Sequence, residues 1–225
     1  MIIVVGLAFE ARIAAGPGVQ VICSGDGHNL AGKLAAAIAD ARTRVRGCPG
    51  ILSFGVAGGL APHLRPGACV VGSAILSGEQ RIPTSDHWSQ KFLETIPDAV
   101  SGTLLGVTVP VANPDEKREL HEKTGAIAVD MESHIVAAVG QAHDVPVAAI
   151  RVITDPAKRA LPISAVAAMR PNGTTNIAAM LRAVVMRPRE LPALIQTALD
   201  ARAARATLVR GRHLLDPAFT SPVAT

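Results

Sequence analysis

Residues 126–155 read AIAVDMESHIVAAVGQAHDVPVAAIRVITD, and the succession of patterns within them decides the fold. Ala126-Ile127-Ala128-Val129 is a short apolar run suited to a buried strand. Ser133 to Ala142 is apolar at helical spacing (Ile135, Val136, Val139), and Val145 to Ile153 is a second buried strand. A strand–helix–strand unit predicts two parallel strands whose C-terminal ends share one sheet edge, so Glu132 and Asp155 should emerge there together. Open α/β sheets bind ligands at that edge.

The same alternation extends over the rest of the chain. Apolar runs at 1–5, 19–23, 51–54, 68–75, 104–111, 126–130 and 146–153 predict strands, and helices fit near 30–45, 114–124, 132–142 and 176–186. This pattern predicts an α/β fold with a mostly parallel sheet. With 225 residues, 49% of them hydrophobic, one sizeable core can form, and a single domain over 1–225 is the expectation.

Composition excludes several classes of function. Aromatic residues make up 2% of the chain and tyrosine is absent, so the stacking platforms of single-stranded nucleic-acid binders are scarce. Cys23, Cys48 and Cys69 lack metal-ligand or redox spacing and sit in or beside apolar runs, which suggests core thiols in a reducing cytoplasm. Met1 to Val5 has no basic flank and is too short for a signal segment, and no apolar run reaches membrane-spanning length. The histidines converge on no acid or cysteine, so no metal or other cofactor is expected.

Four segments at strand ends carry the candidate chemistry. Gly6-Leu7-Ala8-Phe9-Glu10 places a carboxylate after the first strand. Ser24-Gly25-Asp26-Gly27-His28-Asn29 leads into a helix and offers backbone N–H groups to an anion, although Asp26 would repel one. It fails as a dinucleotide fingerprint, because basic Arg44 and Arg46 stand where a ribose-binding acid is needed. Phe54-Gly55-Val56-Ala57-Gly58-Gly59-Leu60 allows close ligand approach. Thr154-Asp155-Pro156 has two readings, a reactive carboxylate or an ordinary helix N-cap followed by proline.

Taken together, Ser53 to Pro62, Leu64-Arg65-Pro66-Gly67, Ala128-Val129-Asp130-Met131-Glu132-Ser133 and Arg151-Val152-Ile153-Thr154-Asp155 closely resemble the purine nucleoside phosphorylase and methylthioadenosine/S-adenosylhomocysteine nucleosidase superfamily over about residues 1–160. Within it, Gly6 to Ile13 and Val129 to His134 look most like the hopanoid-associated phosphorylase branch, linked to adenine removal from adenosylhopane. The resemblance implies a three-layer sandwich around a twisted sheet. It also implies cleavage of an N-glycosidic bond in a 5′-substituted adenine nucleoside, and a homo-oligomer by analogy.

Breaking that bond leaves positive charge on the ribose and negative charge on the departing base. A carboxyl near purine N7 can protonate the base, and by resemblance this is Asp155, which should be shielded from bulk water. Glu132 would accept hydrogen bonds from the ribose hydroxyls and Met131 would pack on the sugar. Gly55, Ala57 and Gly58 would border the substrate, and Glu10 would activate the attacking water. Val56 stands where related enzymes often carry Ser or Thr, and its side chain offers no donor to phosphate. Ser24, Gly25 and Gly27 could supply a phosphate or nucleophile loop instead, with Arg12 or Arg65 as counter-charge. Phosphorolysis, with inorganic phosphate as co-substrate, and hydrolysis both stay open. So do two alternatives: a nucleosidase for small 5′-thioadenosines, and a non-catalytic nucleoside-binding or membrane-surface module.

The net charge of +4 is carried by the end of the chain, since residues 180–225 hold 7 basic and 3 acidic residues. About 170–225 reads as a basic helical extension, with an apolar stripe at Leu191, Leu194, Ile195, Ala198 and Leu199 before Arg202, Arg205, Arg210 and Arg212. It would either pack on the sheet and end in a solvated basic tail, or make a peripheral contact with an anionic inner-membrane surface.

Overall fold

The computed structural model describes residues 1–24, 29–43, 50–162 and 190–220. In chain order the elements are β1 (Ile2–Val5), α1 (Ala8–Ala14), β2 (Gln20–Cys23), α2 (Leu30–Arg42), β3 (Ile51–Gly59), β4 (Cys69–Ser77), β5 (Gln80–Pro83), α3 (Asp86–Thr95), β6 (Val100–Gly106), α4 (Pro114–Thr124), β7 (Ala128–Asp130), α5 (Ser133–Ala142), β8 (Val147–Asp155) and α6 (Leu191–Thr220). The helix predicted at 176–186 lies outside the described residues.

Among the described residues the sheet has eight strands and is mixed. β1–β2, β1–β3, β3–β8, β4–β6 and β6–β7 pair in parallel, while β3–β7, β4–β5 and β4–β8 are antiparallel. Following the pairs from β3 through β7, β6, β4 and β8 returns to β3, so five strands close on themselves like a small barrel. β1, β3 and β8 read as continuous apolar runs because both their faces are covered. One layer of helices, α2 and α5, packs through Leu34, Ile38, Val136 and Ala137, and the other side is covered by α1, α3 and α6, with Trp88, Phe92, Ala204 and Leu208.

The expected parallel arrangement of the strands around α5 is incorrect. β8 runs parallel to β3, but β7 meets the far end of β3 antiparallel. Glu132 and Asp155 nonetheless converge, because β3 lies between the two strands: Gly58 pairs with Val129 on one side and with Asp155 on the other, at a register shift between Ala57 and Gly58. The glycine segment expected to follow the end of a strand at 51–54 is therefore the second half of β3.

α5 approaches the sheet closely at Gly140. A Cβ there would overlap Val147 Cγ2 and lie 3.1 Å from the Val145 carbonyl. Because valine has little χ1 freedom, Gly140→Ala should cost about 1–3 kcal/mol, read as a lower urea midpoint. An unchanged midpoint would show that α5 can slide. α4 is bounded as its sequence suggests: the Asn113 side chain accepts from Asp115 N at 2.8 Å, Pro114 opens the helix, and Gly125 closes it at φ 68°.

Leu191–Thr220 forms the helix α6. Its packing face is Ala204, Leu208 and Leu215, whereas Leu191, Ile195 and Leu199 of the anticipated stripe stay exposed. Arg202, Arg205 and Arg210 are exposed, but Arg212 is not part of a solvated tail: it is buried and its Nε donates to the Ala14 carbonyl at 3.1 Å. Among the described residues no helix is long and apolar enough to cross a membrane.

Candidate active site

The cleft of interest is bordered by α1, the second half of β3, the β7–α5 junction and the end of β8, and encloses about 660 Å³ including its opening to solvent. Glu10, Ala57, Gly58, Met131, Glu132 and Asp155, all singled out in the sequence, line it together. Gly55 does not. It faces Glu10 and Arg151, whose Oε1 and Nη1 lie 2.6 and 2.7 Å from where a Cβ would stand, so the absence of a side chain lets this pair cross the strand. Ser24 is buried with its Oγ 3.4 Å from Glu132 Oε1. Gly25 and Gly27 lie outside the described residues.

Glu10 lies in the first turn of α1 and is 1% exposed. Its Oε2 accepts from the Gly6 and Leu7 amides at 2.9 and 2.8 Å, and its Oε1 accepts from the Val56 amide at 2.8 Å. Val56 thus contributes a backbone donor, though to a carboxylate of the site. Burial raises the Glu10 pKa against the opposing pull of Arg151 and these amides.

The residue that organises the acids is Arg151, whose role the sequence pattern does not reveal. It is fully buried in the middle of β8, with Nη2 donating to Ser53 Oγ at 2.7 Å, Asp130 Oδ1 at 2.9 Å and Ser133 Oγ at 3.1 Å. Glu132 Oε2 stands 3.6 Å from the same nitrogen. Asp130 also caps α5, accepting from the Glu132 and Ser133 amides at 2.9 and 2.7 Å. Arg12 and Arg65, the counter-charges considered from sequence, are exposed and do not line the cleft. One cue was available: an arginine inside a nine-residue apolar strand must find buried acceptors.

Burial pushes the Glu132 carboxyl up to about 7. Arg151 pulls it down, while Asp130 and Glu10 add to the rise. A glutamate in the unfolded chain titrates near 4.3, so between about pH 4.5 and 7 the folded protein holds a proton the unfolded chain has released. This group's contribution to stability is therefore present at low pH and lost as pH rises to about 7, by at most about 4 kcal/mol. The check is urea unfolding of wild type and Glu132→Gln at pH 5 and pH 8. The variant should gain on the wild type at pH 8, and a constant difference would assign the shift elsewhere.

Asp155 ends β8, and no helix starts at Pro156, so the N-cap reading does not apply. Asp155 is 9% exposed and its carboxylate is engaged at both oxygens: Thr154 Oγ1 lies 2.8 Å from Oδ1, and Lys117 Nζ donates to Oδ2 at 2.6 Å. Lys117 was not identified from sequence, because it sits among the charges of PDEKRELHEKT in α4. Val107, Pro110, Val111, Val129 and Leu161 supply an apolar part of the cleft lining. The segment Ser77 to Trp88 forms the end of β4, β5 and the start of α3, with Trp88 buried against Phe92. Among the described residues no cluster of His, Cys, Asp and Glu could hold a metal ion.

An apolar slot bordered by carboxylates, one backed by a lysine and the others gathered on an arginine, suits a ligand with a flat base and a polyhydroxylated ring. The family model described as the phosphorylase superfamily matches residues 5–186. No curated protein matches the chain. Among solved structures, futalosine hydrolase from Helicobacter pylori is 16% identical, with 94% of this chain and 96% of that chain covered at a TM-score of 0.59. The 5′-methylthioadenosine/S-adenosylhomocysteine nucleosidase from H. pylori bound to butyl-thio-DADMe-Immucillin-A is likewise 16% identical, covering 95% and 92% at a TM-score of 0.57. At these identities the two structures speak to the fold.

Proposed function

The chain belongs to the phosphorylase superfamily, and from that premise we propose that it cleaves the N-glycosidic bond of a 5′-substituted adenine nucleoside. The observation that carries this reading is the convergence of Glu10, Glu132 and Asp155 on one cleft with an apolar wall. The base would lie between Val107, Val111 and Leu161 with N7 toward Asp155. Glu132, when ionised, accepts the ribose hydroxyls, and Met131 covers the sugar.

Water is the nucleophile that suits the other end of the cleft. Glu10 is a buried carboxylate with no hydroxyl donor at Val56, a poor neighbour for a phosphate dianion and a suitable acceptor for a water proton. The water oxygen bonds to C1′ as the C1′–N9 bond breaks, the electron pair leaves with the purine, and the water proton passes to Glu10. The relatives named for hydrolysis of futalosine and of 5′-methylthioadenosine agree with this direction. Pro110, which lines the cleft, and the neighbouring exposed Val109 offer apolar surface to a greasy 5′ substituent, and adenosylhopane is the substrate suggested by the resemblance.

Adenine release from adenosines with progressively longer 5′-alkyl groups, run with and without inorganic phosphate, tests these statements. Phosphate-independent release that improves with chain length is expected. A sugar 1-phosphate product would replace hydrolysis with phosphorolysis, and preference for 5′-methylthioadenosine would replace the lipid substrate with a small one. No release from any nucleoside would leave a binding module.

A further inference from the structure

α4 is a strongly polar helix, and the one residue it buries completely is Lys117. Burying an ammonium costs several kcal/mol unless each proton finds an acceptor, and a leucine or alanine would hold such a helix down at no such cost. Lys117 Nζ has three acceptors: Asp155 Oδ2 at 2.6 Å and the carbonyls of Pro156 and Arg159 at 3.3 Å each. Asp155 lines the cleft, and Lys117 lies behind it with no exposure of its own.

We propose that Lys117 is the proton source for Asp155, a positioning residue that supplies through the carboxylate the proton taken up by the departing base. This rests on the reading that Asp155 faces purine N7. As the C1′–N9 bond breaks and its electron pair moves into the purine, a proton passes from Lys117 Nζ to Asp155 and one from Asp155 to N7. Neutral adenine and a neutral amine result. The two remaining N–H groups stay on the Pro156 and Arg159 carbonyls, so the amine loses one hydrogen bond without turning. After adenine leaves, water in the cleft relays the proton held by Glu10 back through Asp155 to Lys117, which resets both groups.

The test compares two leaving groups on the same 5′-substituted ribose: adenine, which needs a proton, and 4-nitrophenolate, which departs without one. For Lys117→Met, kcat for adenine release should fall by about 10²-fold or more with KM little changed, while 4-nitrophenolate release stays near wild type. Lys117→Arg keeps the charge but cannot give up a proton, so the same selective loss is expected. Equal losses on both substrates, or wild-type adenine release by either variant, overturns the proposal. If Lys117→Met does not fold, the charge-balanced Lys117→Met/Asp155→Asn pair is compared with Asp155→Asn. Equal kcat for adenine release supports a single proton path, and a further loss overturns it. A wild-type protein that releases neither leaving group defeats the nucleosidase reading itself, which is distinct from a wild type that releases both while the Lys117 variants match it.

Discussion

Replacing Arg151 by methionine should destabilise the protein by about 3–5 kcal/mol, the usual loss when one member of a buried ionic cluster is removed and its partners remain. The guanidinium is fully buried and its charge faces Asp130, Glu132 and Glu10. Burial alone would lower its pKa, but the three carboxylates outweigh that and raise it. Without it, Asp130 keeps its bonds to the Glu132 and Ser133 amides but loses its cation, and Ser53 and Ser133 each lose a donor. The loss should be smaller at pH 5 than at pH 8, because Glu132, raised to about 7, takes up its proton at the lower pH and ceases to repel. Urea unfolding at both pH values is the measurement. A loss under about 1 kcal/mol, or one independent of pH, would mean that the carboxylates find other compensation.

Asp155→Asn is expected to reduce kcat for adenine release by about 10²–10⁴-fold while binding of a non-hydrolysable adenine nucleoside changes little. Asparagine keeps the shape and can still accept from Lys117, but its amide cannot carry a proton to the base. The ion pair with Lys117 is lost, so some stability goes with it, and circular dichroism must show the variant folded before rates are compared. Unchanged kcat would remove Asp155 from the chemistry, and weakened binding in step with kcat would make it a binding group.

Local pattern determined much of this protein. Alternating apolar runs and helical stripes marked an α/β fold, and the helix expected near 114–124 is α4, whose ends the structure shows capped by Asn113, Pro114 and Gly125. Elements with weak local signals escaped. α1 is seven residues long, too short for periodicity to stand out, and β5 and α3 follow the polar turn after Ser77. Glu10, Met131, Glu132 and Asp155 were marked for one site by resemblance.

Only the tertiary structure decided how that site is assembled. Strand direction is a property of pairing between distant segments, so nothing in residues 126–130 announced that β7 would run antiparallel to β3, or that Gly58 would sit between β7 and β8. The same holds for charge. Arg151 and Lys117 look in sequence like a stray polar residue in a strand and a solvated lysine on a helix. A cation's role depends on which acids stand within a few ångströms once water is excluded, and that is settled by packing between segments up to about 140 residues apart, as Glu10 and Arg151 are.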